Sequence, residues 1–185
     1  RTRRQRQMCI RDRVDPSDPN TFSFLTQNAA EGINQGLEIN MSMIVNESLD
    51  IFTNVGLLKT EIKNWKSRPD LEGRAQAHAP KKSYSFGMNW RPTNKTFLSI
   101  DIVGKSSFYY SDSHNNKSKS YALTNINYGY IKDEWTYTFW IRNAFDKYYS
   151  VRGFYFGNEA PNFEDTLYER HGDPKHYGVT VRYDF

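Results

Sequence analysis

Between Ile33 and Asn46 the apolar residues fall largely on alternate positions. Ile33, Leu37, Ile39, Met41, Met43 and Val45 lie on one side, with Asn34, Gly36, Glu38, Asn40 and Ser42 on the other. A period of two sends successive side chains to opposite faces of a strand, and helical spacing fits this stretch much worse. The segment "NES" at 46–48 reads as a tight turn. After it, Leu49, Ile51, Thr53, Val55 and Leu57 oppose Asp50, Asn54 and Gly56 in a second strand, which completes a hairpin. The unit recurs with Tyr84, Phe86, Met88 and Trp90, the turn "RPTNK" at 91–95, and Leu98, Ile100 and Ile102. A third pair runs over residues 121–130, where Ile126, Tyr128 and Tyr130 alternate with Asn125, Asn127 and Gly129. It turns at "IKDE" and continues through Trp135, Tyr137, Phe139 and Ile141. The chain closes on Tyr177, Val179, Val181, Tyr183 and Phe185, divided by His176, Gly178, Thr180, Arg182 and Asp184. One more strand is expected at about 20–27, from Phe22 and Phe24, joined to the next by a brief connection near 28–32.

Connection lengths add direction to this pattern. The turns at 46–48, 91–95 and 131–134 are short, whereas the segments 63–83, 111–120 and 144–175 are long. Such alternation is the mark of bacterial up-and-down outer-membrane barrels, with short periplasmic turns and longer extracellular loops. Counting back from a periplasmic Phe185 places every short turn inside and each of these long segments outside. Several strands have the roughly 9–11 alternating residues that a tilted membrane strand needs. Lys59 and Glu61, on the apolar side beyond Leu57, read as a strand leaving the hydrocarbon. Tyr84, Trp90, Trp135, Tyr128 and Tyr130 suit an interfacial aromatic girdle. The polar positions Glu38, Asn40, Asn54, Asn125, Asn127 and Arg182 then face water or polypeptide within. A soluble β-barrel or sandwich explains the alternation equally well, but not the loop asymmetry or the aromatic terminus.

Composition changes the picture in two ways. With 185 residues, 37% hydrophobic and a mean hydropathy of −0.81, the chain still carries 16% aromatics, an enrichment that favours strands and interfaces. No run approaches the roughly 18 apolar residues of a membrane helix, so strands must do any crossing. The net charge of +4 is concentrated at one end. "RTRRQRQMCIRDR" holds six Arg against one Asp, so residues 14–185 carry −1. This basic arm, which resembles translated adapter sequence, is expected to be non-native or disordered over 1–13, and a nucleic-acid reading loses its main support. The single Cys9 also lies there, which removes any disulfide framework from the rest.

Little in the chain suits catalysis. His78, His114, His171 and His176 are scattered, and neither G-x-S-x-G nor H-E-x-x-H occurs. In "RHGDPKH" the set His171, Asp173 and His176 reads as loop punctuation rather than a cation site. "DSHNN" spaces Asp112, His114 and Asn116 as a calcium loop would, but lacks the Gly and closing Glu. No enzyme, metal or cofactor is expected.

The segments "WTYTFWIRNAFDKYYSVRGFYFGNEAP" and "GDPKHYGVTVRYDF" together resemble the C-terminal end of TonB-dependent outer-membrane receptors, with an RNLFDK-Y-like stretch before a last strand ending aromatic-x-Phe. "GRAQAHAPKKSYSFGMNWRP" and "GLLKTEIKNW" are similar to preceding strands of that family. The resemblance implies an all-β, antiparallel up-and-down transmembrane β-barrel, of which residues 14–185 supply about the last eight strands of some 22. It places the plug domain, the box that contacts TonB and the signal peptide outside this stretch. It further implies bacterial outer-membrane location, lipid contact, and Tyr177, Val179, Val181, Tyr183 and Phe185 as the signal read by the outer-membrane assembly machinery. The implied activity is TonB-energised uptake of a scarce small-molecule nutrient such as a metal chelate, most often a ferric siderophore. The alternatives are a passive porin-like barrel and a soluble ligand-binding barrel. For a receptor wall, Trp65, Arg68, Tyr109, Tyr110, Arg152, Tyr155 and Phe156 are candidate ligand contacts, because aromatics and Arg dominate binding anchors.

Overall fold

The computed structural model describes the backbone of residues 2–15, 18–66, 68–112, 114–157 and 159–185, and among these the side chains from Glu31 onward. The strands are β1 (Thr2–Asp15), β2 (Asp18–Asn46), β3 (Leu49–Lys63), β4 (Lys82–Thr93), β5 (Thr96–Lys105), β6 (Tyr121–Lys132), β7 (Trp135–Arg142), β8 (Ser150–Phe156), β9 (Thr166–His171) and β10 (His176–Tyr183). Eight of them form one antiparallel sheet in the order β1-β2-β3-β4-β5-β6-β7-β10, while β8 and β9 pair only with each other. Chain neighbours are therefore sheet neighbours throughout, with the β8–β9 hairpin inserted in the last long connection. The sheet is open, since β1 and β10 each have a partner on one side.

The two ends of the sheet are built differently. Two residues join β2 to β3, β4 to β5 and β6 to β7. Side chains complete these turns: Asn46 Oδ1 accepts the Ser48 amide at 2.9 Å, and Thr93 Oγ1 accepts the Lys95 amide at 3.2 Å. Asp133 takes a left-handed φ of 52°, which Asp tolerates better than most residues. The opposite end carries the long connections 64–81, 106–120 and 143–175. From β2 onward, the alternation of short and long expected from the sequence is therefore present.

The N-terminal side corrects the sequence reading. No connection interrupts the chain near 28–32, and the strand expected at 20–27 is the lower part of the 29-residue β2. Ala30 pairs with Gln7 while Asn28 pairs with Met8, so Ala29 is the extra residue of a bulge. A bulge breaks the period of two without ending the strand. The edge strand β1, Thr2–Asp15, includes residues 2–13 of the arm set apart above as 1–13.

Register assigns the faces. Across the sheet Ile51 meets Met43 and Met88, Met88 meets Ile100, Ile100 meets Ile126, Ile126 meets Ile141, and Ile141 meets Tyr177. The next row runs through Trp90, Leu98, Tyr128, Phe139 and Val179. Because a slip of one residue would move a strand's apolar set to the other face, agreement over seven strands is a demanding condition. The rows are open to the surroundings, half-buried in the middle of the sheet and exposed towards its sides: Met43 is 50% accessible, Phe139 52% and Val179 56%. A continuous apolar surface of this kind on an eight-stranded sheet exceeds what a soluble monomer ordinarily shows to water.

The other face is polar and tied laterally. Asn54 Nδ2 donates to Ser85 Oγ at 2.8 Å, Asn89 Nδ2 to Asp50 Oδ2 at 3.0 Å, and Asn125 Nδ2 to Asp101 Oδ2 at 2.7 Å. Arg91 forms an ion pair with Asp50. Three aromatic rings on this face each cover a glycine directly across the ladder: Phe52 over Gly87, Phe97 over Gly129 and Trp140 over Gly178. The ring occupies the space a Cβ would need, which replaces packing the glycine itself cannot supply. A Gly129→Val change is expected to cost about 1–3 kcal/mol through overpacking. A urea titration of the folded protein in detergent micelles checks this, with the cost shrinking when Phe97→Ala removes the ring.

Candidate functional site

A sheet one layer thick has no interior, and among the described residues the buried apolar side chains gather at the long-loop end. Ile62, Trp65 and Leu71 form one cluster; Phe108 and Tyr110 are also buried. The cause lies in β2 and β3, which pair as far as Glu31 and Lys63, whereas β3 and β4 separate at Leu57 and Lys82. The projecting end of β3 presents Thr60 and Ile62 to loop 64–81, which folds back through a 3-10 turn, Pro69–Leu71. The Ile62 amide donates to Arg74 O at 2.8 Å and the Gln76 amide to Thr60 Oγ1 at 3.0 Å.

Loop 106–120 is the hub of the outer end. The Arg74 guanidinium donates to the carbonyls of Ser111 (2.9 Å), Asp112 (3.3 Å) and His114, and lies 3.9 Å from the centre of the Tyr109 ring, which Lys117 also approaches at 4.2 Å. Two "DSHNN" carbonyls and that of Ser111 thus bind a cation that the protein itself supplies. Asp112 Oδ1 accepts the Ala77 amide at 2.7 Å, and Tyr109 O accepts the His78 amide at 2.9 Å. On the other flank the β8–β9 hairpin packs one face against the hub. The His114 ring stacks on Tyr155 at 3.6 Å, Gly153 meets the Tyr110 ring, and the Tyr110 hydroxyl bonds Glu169. His114 Nε2 also lies 3.4 Å from Asp165 Oδ2.

The base of the last long connection is tied by Asn143, which is buried and has a left-handed φ of 47°. Its Nδ2 donates to Lys147 O (2.9 Å) and Asp173 O (3.1 Å), and its Oδ1 accepts the Lys147 amide at 2.8 Å. Asp146 Oδ1 accepts the Lys175 amide at 2.8 Å. The "RNAFDK" stretch singled out in the sequence therefore holds the exit of β7 against the entry to β10. His171 meets Tyr148 instead of joining Asp173 and His176, and no cluster of three or more metal-ligating side chains occurs among the described residues.

Of the expected ligand contacts, Tyr109, Tyr110 and Tyr155 come together around loop 106–120. Tyr110 is buried and Tyr109 is flanked by two cations, so both brace the loops in this state. Trp65 is buried in the separate Ile62 cluster, and Arg68 is held bidentately by Asp70 at 2.9 and 3.0 Å. That bond raises the Arg68 pKa and lowers that of Asp70. Arg152 and Phe156 are exposed on the free face of β8. Tyr177, Val179, Val181 and Tyr183 line one face of β10, and Tyr183 packs on Trp135 at 4.8 Å and on Phe185 at 5.2 Å. Sequence reasoning missed Arg74 and Glu169, and it named His114 and Asn143 without their bracing roles. Their partners are carbonyls and rings from distant segments, which leave no local spacing to detect. Within the sheet, a groove of about 300 Å³ on the polar face is lined by Glu38, Asn40, Asn54, Ser83, Ser85 and Lys105, among others.

Burial, then the bond to Glu169, pushes the Tyr110 hydroxyl up from 10.0 to about 12. The folded form prefers the protonated phenol, so its contribution is whole below pH 10.0 and drains away as pH rises towards about 12. Phenolate absorbance is expected to show this late-titrating tyrosine, and Tyr110→Phe to remove it along with the alkaline loosening of loop 106–120.

Comparison with known proteins follows from this geometry. The family model described as "TonB dependent receptor-like, beta-barrel" matches residues 4–144. The ferric yersiniabactin uptake receptor FyuA of Yersinia pestis superposes with a TM-score of 0.74 at 15% identity, over 87% of this chain and 25% of that one. The siderophore receptor PiuA of Acinetobacter baumannii gives 0.68 at 14%, over 92% and 23%. The ferric preacinetobactin receptor BauA of the same species gives 0.64 at 21%, over 96% and 26%. The chain thus spans about a quarter of the length of these structures. A search of curated proteins gives no match.

Proposed function

We propose, from the premise that this chain belongs to the TonB-dependent receptor family as part of its β-barrel, that it is the C-terminal wall of an outer-membrane transporter for a ferric siderophore. Members of this family are transporters rather than enzymes. The observation that carries the reading is the seven-strand apolar face joined at one end to a braced set of long loops. Acyl chains offer no hydrogen bonds, so a sheet can stand in them only if every edge is paired. The free edges of β1 and β10 are therefore filled by the remaining strands of a barrel of about 22. Tyr177, Val179, Val181, Tyr183 and Phe185 serve as the signal for the assembly machinery, and the polar face looks onto a plug. Similarity to receptors for yersiniabactin, preacinetobactin and other iron chelates supports a siderophore as cargo. With no ATP in the outer membrane, TonB supplies the energy, and the loop aromatics and arginines meet the chelate.

The test is uptake of radioactive iron chelates by iron-starved Gram-negative cells whose only receptor is the protein carrying this chain. Uptake is expected to fall to background when TonB is deleted or the proton gradient is collapsed. Uptake indifferent to both would establish a passive pore instead.

A further inference from the structure

The β8–β9 hairpin has two faces with different occupants. Gly153, Tyr155, Leu167 and Glu169 alternate onto the face that packs against loop 106–120, through the Tyr110 and His114 contacts described above. The other face carries Arg152, Phe154 and Phe156 on β8 and Thr166, Tyr168 and Arg170 on β9, and Arg152, Phe154, Phe156 and Arg170 are exposed on it. Arg152 stands directly opposite Arg170 in the register. Like charges in this relation oppose strand pairing, and both side chains are exposed, with no ion pair or hydrogen bond to an acid among the described residues. Nearby acids are engaged elsewhere: Glu169 with Tyr110, Asp165 with His114, and Glu159 with the Tyr168 hydroxyl at 3.1 Å. Beside the two guanidinia, Phe154 and Tyr168 stack with centroids 5.7 Å apart and planes 22° from parallel. Phe156 extends the same apolar strip and is 49% accessible.

Two forked cations left without a counter-ion, next to a flat aromatic strip, match a planar or aryl-bearing anion: the forks donate bidentately to carboxylate or catecholate oxygens and the rings take its apolar part. We infer that the free face of the β8–β9 hairpin, with Arg152 and Arg170 as its anion clamp and Phe154 and Tyr168 as its platform, selects negatively charged chelates over neutral ones. This rests on the transport reading above and assigns the charge class of its cargo. Arg152 was already a candidate contact, whereas Arg170, Phe154 and Tyr168 were not. Both arginines are specificity residues that act at first capture, before the cargo reaches the barrel interior.

The experiment measures binding of two ferric chelates, an anionic tris-catecholate and a neutral tris-hydroxamate, to the complete receptor carrying this chain in detergent, by tryptophan quenching at two salt concentrations. The expected result is tighter binding of the anionic chelate, weakened at least tenfold by the double change R152Q/R170Q, with the loss reduced in R152K/R170K and the affinity falling with salt. A heat-modifiability gel confirms that each variant is folded, and single substitutions replace the double if it is not. Equal binding of the anionic chelate by the parent and the folded glutamine variants overturns this inference alone, as does preference for the neutral chelate. Binding of neither chelate by the parent removes the transport reading, and the inference with it.

Discussion

Register between strands whose two faces differ in polarity is the constraint on which the rest depends. Each strand of the sheet could pair with its neighbour in many alignments, but only one keeps Met88, Ile100, Ile126, Ile141 and Tyr177 in a row on one side and Asn89, Ser99, Asn127, Trp140 and Gly178 on the other. Once that alignment holds, the backbone groups between strands are satisfied by the ladder, and the apolar side chains can face hydrocarbon at no cost in buried polar groups. The glycines beneath Phe52, Phe97 and Trp140 belong to the same solution, because these three rings lie where a Cβ on the facing strand would be.

At the long-loop end the physics changes, because small apolar clusters around Ile62 and Phe108 are buried there. Directed bonds join these clusters to one another. Arg74 gathers three carbonyls of loop 106–120, Asp112 and Tyr109 return bonds to loop 64–81, and Tyr155 and Glu169 attach the hairpin. Asn143 and Asp146 fix the base of the last connection to the top of the wall. Register thus sets where the strands end, and the strand ends set where the loops can brace each other. A braced set of loops loses less freedom when a ligand arrives, which favours affinity.

Much of the wall was legible in the sequence, for a reason visible in particular residues. In β7 and β10 the polar and apolar positions alternate almost without fault, since the two faces meet different surroundings and every residue is committed to one. The same logic failed where the period breaks without a turn, as at the Ala29 bulge, which reads as a connection between strands yet lies inside β2. It failed again at β8, where Phe154 and Phe156 on the free face and Tyr155 on the packed face erase the contrast that marks a strand. The candidate contacts were found only by type. Trp65 and Tyr110 turned out to be buried braces because burial of a loop residue depends on segments far away in the chain.

Accessibility of the two faces of β10 to oxygen and to a water-soluble paramagnetic reagent tests the account most directly, using nitroxide labels placed singly at Val179 and Thr180 in the complete barrel in a bilayer. The label at Val179 is predicted to collide with oxygen and to be shielded from the soluble reagent, and the label at Thr180 to show the reverse. Equal accessibility at the two positions would contradict the claim that the two sides of this sheet face different solvents.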